Sequence, residues 1–544
     1  MNSLTRYLRK LMPQRADYAA LPSTWRNDLL AGLTVGIVAL PLALGFGISS
    51  GAGAEAGIIT AVIAGIIAAV FGGSHIQVSG PTGAMVVVLA PIMSTHGLQA
   101  LALVTVMAGV LVLIAGALKL GRIVSFIPWP VIEGFTVGIG IIIFLQQIPS
   151  LTSHSYTPSS NNAAVAAFQA LTHAEASYLL WALGAVGIVA ACMILLPKVH
   201  AAIPGSLVGI VVVTIMSLVL PSGLASIGAL PNTVHAPHLP AFSSTALTTL
   251  LPAALTIAAL AAIESLLSAR VASSMSDTGP YDPDRELVGQ GLASIGSGLF
   301  GGMPATGAIA RTAVNVKAGA RTRVAAIFHS LVLITIIGVA AQPVGLVPLA
   351  SLAGVLMVTA IRMIDLTTAR SILTSTRSDA VAFTITALVT VSVDLIVAVV
   401  IGIGVAGFLI LRRLSRSTSV TVETIAHSPE SSAQAIATIK IDGPLFFAAA
   451  DRVLHSALAV EGVSVAILRV SRLGIVDATG AHVLSEIVRQ LSARNITVLI
   501  KGVQPSHLEL FRRVGVLESL QDQGHIFQDL ELAVEYAKLH LSRT

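Results

Sequence analysis

Apolar residues run almost unbroken from Asp28 to about Leu414, interrupted only by Gly, Pro and short polar turns. Runs of that length predict membrane-crossing helices, at about 20 residues per crossing and fewer where a helix is broken. The region has room for about fourteen segments. They fall near 28–46, 55–71, 81–94, 98–118, 127–147, 178–196, 203–220, 251–271, 287–299, 305–316, 323–341, 346–362, 379–393 and 395–413. Beyond Arg416 the pattern changes. There, β-branched runs at 435–441, 463–470 and 496–500 alternate with helical patterns, which predicts a small α/β domain. The chain thus divides into a leader at 1–27, a transmembrane region at 28–414, a Ser/Thr-rich linker at 415–434 and the α/β domain at 435–544.

Composition sharpens this division. The 544 residues are 55% hydrophobic and 10% charged, whereas a soluble domain carries about 25% charge. The only cysteine is Cys192, so a disulfide scaffold is excluded. Aromatics are scarce and Gly is abundant at 47, as expected where small residues pack helices in lipid. The net charge is 31 − 26 = +5, but the basic residues gather at helix ends and in the leader (Arg6, Arg9, Lys10, Arg15, Arg26), so no nucleic-acid partner is expected. The leader lacks the apolar core and cleavage site of a signal peptide and reads as an amphipathic piece on the cytoplasmic membrane surface.

Lys and Arg also set the orientation. With the N-terminus inside, Lys119, Arg122, Lys198, Arg270, Arg285, Lys317, Arg321, Arg323, Arg362, Arg370, Arg377, Arg412 and Arg413 all fall on the cytoplasmic side. The loops Pro149–Ala176 and Pro221–Leu250 carry neither Lys nor Arg and are expected outside. Both termini are therefore expected in the cytoplasm of a multi-pass protein of the inner (plasma) membrane.

An internal similarity points to the site. Phe71-Gly-Gly precedes Pro81-Thr82-Gly83-Ala84, and Phe300-Gly-Gly precedes Pro304-Ala-Thr306-Gly307-Ala308. These motifs lie in the third and tenth segments, seven crossings apart, which implies two inverted repeats of seven. Broken segments at matching places in two halves mark a transporter's binding site. A helix that begins at mid-membrane leaves its first N–H groups unpaired and its positive dipole end exposed, and two such ends facing each other suit an anion.

Two ionisable residues stand inside the apolar region. Glu264 lies well within the eighth segment, where a carboxylate costs about 2.5–3.5 kcal/mol and must be protonated, paired or facing water. It is expected to couple transport to a cation. Arg311 follows the tenth-segment break and either supports the bound anion or snorkels to the cytoplasmic surface. Glu133, Asp365 and Asp394 lie near segment ends and read as interfacial. The 14 His show no metal spacing, and no nucleophile–base set or phosphate loop points to an enzyme.

The stretches Asp28-Leu-Leu-Ala-Gly-Leu-Thr-Val and Gly80-Pro-Thr-Gly, the run Arg311-Thr-Ala-Val-Asn to Thr322, and the C-terminal α/β domain together resemble the SulP family of inorganic anion transporters. The resemblance covers nearly the whole chain. It implies a polytopic α-helical membrane protein of core and gate domains, two inverted repeats of seven segments, and a cytoplasmic STAS domain. It also implies an anion site between the third and tenth segments, here Pro81, Thr82, Gly83, Ala84, Thr306, Gly307, Ala308, Ile309 and Arg311. The coupling site would lie at Glu264 and Ser268, taking a proton or a sodium ion and no other cofactor.

Ala39–Ala54 and the Glu286-Leu-Val-Gly-Gln-Gly291 run are similar to the bicarbonate-transporting branch. That branch has Asp and Thr where this chain has Glu264 and Ser268, and Thr where it has Ile309. Losing that hydroxyl weakens a sodium site, so protons are expected ahead of sodium. The expected function is secondary active transport of a bicarbonate- or sulfate-class anion by alternating access. Alternatives on the same scaffold are an uncoupled channel or exchanger and a nucleobase-type proton symporter. STAS domains in signalling carry a phosphorylatable Ser after an Asp; here Asp477 is followed by Ala478, so the domain is expected to stabilise or dimerise the transporter, which is expected to be a homodimer.

Overall fold

The computed structural model describes residues 11–122, 127–152, 160, 162–200, 203–230, 236–240, 243–393, 395–425 and 435–542. Two compact units divide near Ile403 and Gly404. The first is helical: α1 (Leu21–Ser49), α2 (Ala54–Phe71), α3 (Gly83–His96), α4 (Gln99–Ala117), α5 (Trp129–Thr152), α6 (Ala163–Thr172), α7 (Ala176–Val199) and α8 (Gly205–Val219). It continues with α9 (Ser244–Met275), α10 (Pro283–Leu299), α11 (Ile309–Lys317), α12 (Arg323–Gly345), α13 (Leu349–Met363), α14 (Leu366–Ser375), α15 (Arg377–Ser392) and α16 (Leu395–Ser417). Among the described residues nine helical stretches are long and apolar enough to cross a membrane, with α3 and α8 among the shorter apolar ones.

Small residues set the packing. Gly109 of α4 and Gly291 of α10 face each other so closely that a Cβ on either would lie 2.8 Å from the other's carbonyl oxygen. Gly32 and Gly36 of α1 likewise admit α12, where added Cβ atoms would lie 2.6 Å from Ala325 O and 2.8 Å from Val332 Cγ1. Backbones this near gain dispersion along their length, which replaces a hydrophobic drive that lipid cannot supply.

Each expected segment coincides with a helix, but the connections differ in four places. The outer loop Pro149–Ala176 contains α6, whose start is capped by Asn162 Oδ1 accepting from Ala164 N and Val165 N. The stretch between the segments near 346–362 and 379–393 contains α14, capped by Asp365 accepting from Thr367 N and Thr368 N. The third and tenth segments begin as two-residue strands, β1 (Ser79–Gly80) and β2 (Thr306–Gly307), which pair antiparallel. The leader is not simply a surface piece either. Asp17, in a short turn of helix at Arg15–Tyr18, is buried in an ion pair with Arg285 of α10. Arg6, Arg9, Lys10 and Asp394 lie outside the described residues.

The second unit has a six-stranded sheet formed by β3 (Ser419–Ile425), β4 (Ala435–Leu445), β5 (Val463–Arg469), β6 (Leu473–Val476), β7 (Thr497–Lys501) and β8 (Ile526–Phe527). The order is β3-β4-β5-β7-β8 with β6 beside β4; β3–β4 is antiparallel and the other pairs are parallel. Part of the expected linker is thus a strand, and residues 426–434 lie outside the described residues. Helices Ala450–Leu458 and Ala478–Ala493 pack on one sheet face and Leu530–Leu541 on the other. Asp477 accepts from Gly480 N and Phe447 N, so it caps a helix whose first residue is the unmodifiable Ala478.

Candidate anion-binding site

The paired strands bring the two breaks together. Ser79 stands opposite Gly307 and Gly80 opposite Thr306. From β1 the chain enters α3 through Pro81 and Thr82; from β2 it enters α11 through Ala308. No side chain caps either helix start. The first N–H groups of α3 (Gly83, Ala84, Met85) and of α11 (Ile309, Ala310, Arg311) therefore carry the unsatisfied dipole ends.

At the second break, the N–H groups of Gly307 and Ala308 are engaged within the protein. Gly307 N donates to Ser265 Oγ at 3.1 Å, and Ala308 N donates to Val78 O at 2.8 Å. Both are already used. Gly307 is also not a gap for an anion, because a Cβ there would lie 1.6 Å from Gln77 Nε2 and 3.1 Å from Ser268 Cβ. Its space is taken by the Gln77 amide, which donates to Ser265 O at 3.2 Å.

Glu264 sits where the strands end. Its Oε2 accepts from Thr82 Oγ1 and from Thr306 Oγ1, each at 2.8 Å, and the two hydroxyls lie 3.0 Å apart. One carboxylate oxygen so joins both helix starts. Hydroxyls rotate, so the triad can serve a carboxylate as donor or a neutral carboxyl as acceptor. Ser268 does not belong to it. One turn further along α9, its Oγ lies 3.4 Å from Thr312 Oγ1.

Arg311 does not snorkel. It is only 1% exposed, and its Nη2 donates to Pro81 O at 2.5 Å, across the repeat boundary. A Cβ on Gly80 would lie 2.7 Å from Nη1, so only a glycine lets the guanidinium lie against β1. Among the described residues Nη1 itself, which is buried, has no hydrogen-bond partner. A buried N–H left unmade costs about 1–3 kcal/mol, which an oxyanion within reach would recover. Thr312 and Asn315 complete the cross-links, Thr312 accepting from Val78 N at 3.0 Å and Asn315 Nδ2 donating to Ile76 O at 2.7 Å. Ile309 is partly exposed at the start of α11 and offers no oxygen.

A cavity of about 500 Å³ lies beyond the site, between the ends of α1, α3 and α5 and the start of α13. Ser49, Ser94, Gln147 and Leu352 are among its lining residues, and none of the triad is. Ala90, on its wall, is seven residues past Gly83, or about 10 Å along a helix.

Residues 25–386 match the sulfate permease family, and residues 431–533 match the STAS domain. The chain belongs to the sulfate permease family. It is 36% identical over 512 residues to the putative sulfate transporter YvdB of Bacillus subtilis, covering 92% of this chain and 96% of that one. It is 31% identical over 545 residues to the bicarbonate transporter BicA of Picosynechococcus sp., covering 94% and 95%. The solved transmembrane domain of a cyanobacterium bicarbonate transporter BicA has a TM-score of 0.60 at 34% identity, covering 70% of this chain and 97% of that chain. Murine Solute Carrier 26 family member A9, an anion transporter solved in the inward-facing state, gives 0.81 at 17% identity, covering 98% and 95%, a likeness of fold alone. As a member of this family the protein is a multi-pass membrane transporter with a STAS domain, and not an enzyme.

Proposed function

We propose that the protein accumulates a small inorganic anion of the bicarbonate or sulfate class by alternating access, and that Glu264 couples this to protons. The reading rests on one arrangement: a carboxylate held by the Thr82 and Thr306 hydroxyls, beside a buried guanidinium that bonds the residue before Thr82. With Glu264 ionised, its charge offsets that of Arg311, and the site offers an anion only helix dipoles. With Glu264 protonated, the guanidinium charge is uncompensated in a low-dielectric site and attracts the anion strongly. Proton and anion then bind as a pair, and neither crosses the membrane as a bare charge.

Sodium is the weaker reading, because Ser268 is turned to Thr312 and Ile309 brings no oxygen. We further place both termini in the cytoplasm at the plasma membrane, on the Lys and Arg distribution, and expect a homodimer through the membrane and STAS units. The test is uptake of radiolabelled sulfate and bicarbonate into proteoliposomes, with proton and sodium gradients imposed separately. Glu264→Gln should keep anion exchange and lose proton-driven accumulation. A glutamine variant that still concentrates substrate on a proton gradient would sink the proposal. Wild-type uptake that follows sodium and ignores pH would reassign Glu264 as a sodium ligand.

A further inference from the structure

The Glu286-Leu-Val-Gly-Gln290 run has no part in the function proposed so far, yet both polar side chains are almost fully buried. Glu286 Oε2 accepts from Gly73 N at 2.8 Å and from Ser74 N at 3.1 Å, in the turn that leads from α2 to β1. One helical turn on, Gln290 Nε2 donates both its hydrogens, to Glu286 Oε1 at 2.9 Å and to Ser79 Oγ at 2.6 Å. Ser79 is the β1 residue that pairs with Gly307.

The rest of that turn is held the same way. Arg285 Nε donates to Phe71 O, and Arg323 Nη1 donates to Ala69 O and Gly72 O. Side chains from the second half thus satisfy the backbone at which the first half breaks. Asp17 of the leader closes the cluster, accepting from Arg285 Nη1 at 3.0 Å and Nη2 at 2.6 Å, with Arg323 Nη2 at 3.7 Å. Packing is close: a Cβ on Gly73 would lie 1.9 Å from Asp282 O, and one on Gly289 would lie 2.4 Å from Gly72 N.

We propose that Gln290, set by Glu286, is a positioning residue for the anion site: it fixes β1 by Ser79 and so sets where the α3 and α11 starts face each other. The inference rests on the site reading above. Among the described residues Gln290 hydrogen-bonds Ser79 and Glu286 and neither the triad nor Arg311, so its leverage runs through the strand pair. A two-residue strand has few bonds of its own, so one lost grip lets both helix starts drift.

The test uses the full chain in proteoliposomes, with radiolabelled sulfate uptake and sulfate binding to the detergent-purified protein. Gln290→Met keeps the volume and removes both donors; sulfate half-saturation should rise about tenfold with the maximal rate largely kept, tenfold being the usual worth of such a bond. Gln290→Glu places a second carboxyl against Glu286, with Arg285, Arg323, Asp17, His75, Tyr18 and Tyr281 the other ionisable groups described around the cluster. Two carboxyls this close share a proton, so this variant should bind sulfate nearly normally at low pH and, beyond the fall that Glu264 already gives wild type, lose it over a further range as the pH rises. That acquired pH profile is a readout a purely structural role would not give, and it remains readable if the methionine variant fails to fold. Wild-type half-saturation in Gln290→Met, or a wild-type pH profile in Gln290→Glu, overturns the proposal. Arg311→Ala run alongside separates the two claims: if it weakens sulfate binding while the Gln290 variants do not, only the positioning role fails.

Discussion

The two helix starts at the centre of the membrane unit share a backbone plan and differ in chemistry. The α3 start is apolar, running Gly83-Ala-Met-Val-Val-Val-Leu, and Val87 stands where the second half has Arg311. The α11 start carries Arg311, Thr312 and Asn315, all buried, and all three reach back to backbone atoms of residues 76–81. The first half therefore offers mainly carbonyls and N–H groups, and the second half offers the side chains that hold them. A repeat can duplicate dipoles without duplicating charge. Two arginines facing each other across one anion would repel whenever the site was empty; a single one, balanced by Glu264, need not.

The largest test of this asymmetry is a pair of substitutions at the two glycines. In Gly307→Val the new side chain enters the space of Gln77 and Ser268, so Gln77 loses Ser265 and β2 must shift. We expect no measurable sulfate binding in an otherwise folded protein. Gly83→Ala meets mainly the tip of Ile143, with its Cδ1 at 2.1 Å, which can swing aside. That variant should bind normally, because the Ile143 tip can yield without moving either helix start. Equal losses of binding at both glycines would mean the two starts are chemically equivalent after all.

Removing the charge is the next step down. Arg311→Ala should weaken sulfate binding by about 1–3 kcal/mol, the worth of a charge-assisted hydrogen bond, as read by titration of the purified protein. Adding Val87→Arg to that variant moves the charge to the matching place in the first half. We expect no rescue, since an arginine at 87 leaves the Pro81 carbonyl without the Arg311 guanidinium that bonds it. Restored affinity would show that only net charge matters and that the cross-links are incidental.

The apolar runs and the Gly/Pro breaks made the helices, their order and the two helix starts readable from the sequence, because each is a local property of composition and spacing. Glu264, Thr82 and Thr306 could each be singled out, Glu264 as an acid in an apolar helix and the threonines beside the breaks. Their meeting on one oxygen could not, since it depends on β1–β2 register across more than 200 residues of chain. Gln77, Ser265 and Thr312 were missed for the same reason: a single polar residue near a helix end carries no sign of what it will face. Asp17 misled in the other direction. A charged leader suggests solvent, and only the buried Arg285 and Arg323 explain why an acid there is held inside.

The smallest effect on the anion site itself should come from that leader, and it asks whether the first start depends on side chains of the second half. Burial alone would push the Asp17 carboxyl up; the Arg285 hydrogen bonds, the Gln14 N–H and the Arg323 charge outweigh it and hold the group below the usual carboxylate range. A depressed folded-state value means the ion pair contributes stability above the unfolded pKa of about 3.9 and loses it as pH falls through the lower folded value. Asp17→Asn should therefore lower thermal stability at pH 7 by about 1.5–3 kcal/mol, the range for hydrogen bonds to charged groups. The gap from wild type should close as the pH falls below 4, because wild type loses the same charge. A constant gap across that range would show that Asp17 acts by shape rather than charge. If charge is the cause, the loosened Arg285 and Arg323 should also slacken their hold on Phe71, Ala69 and Gly72. Hydrogen exchange at Gly73 and Ser74 would then quicken at pH 7 in the variant while exchange within α11 stays as in wild type.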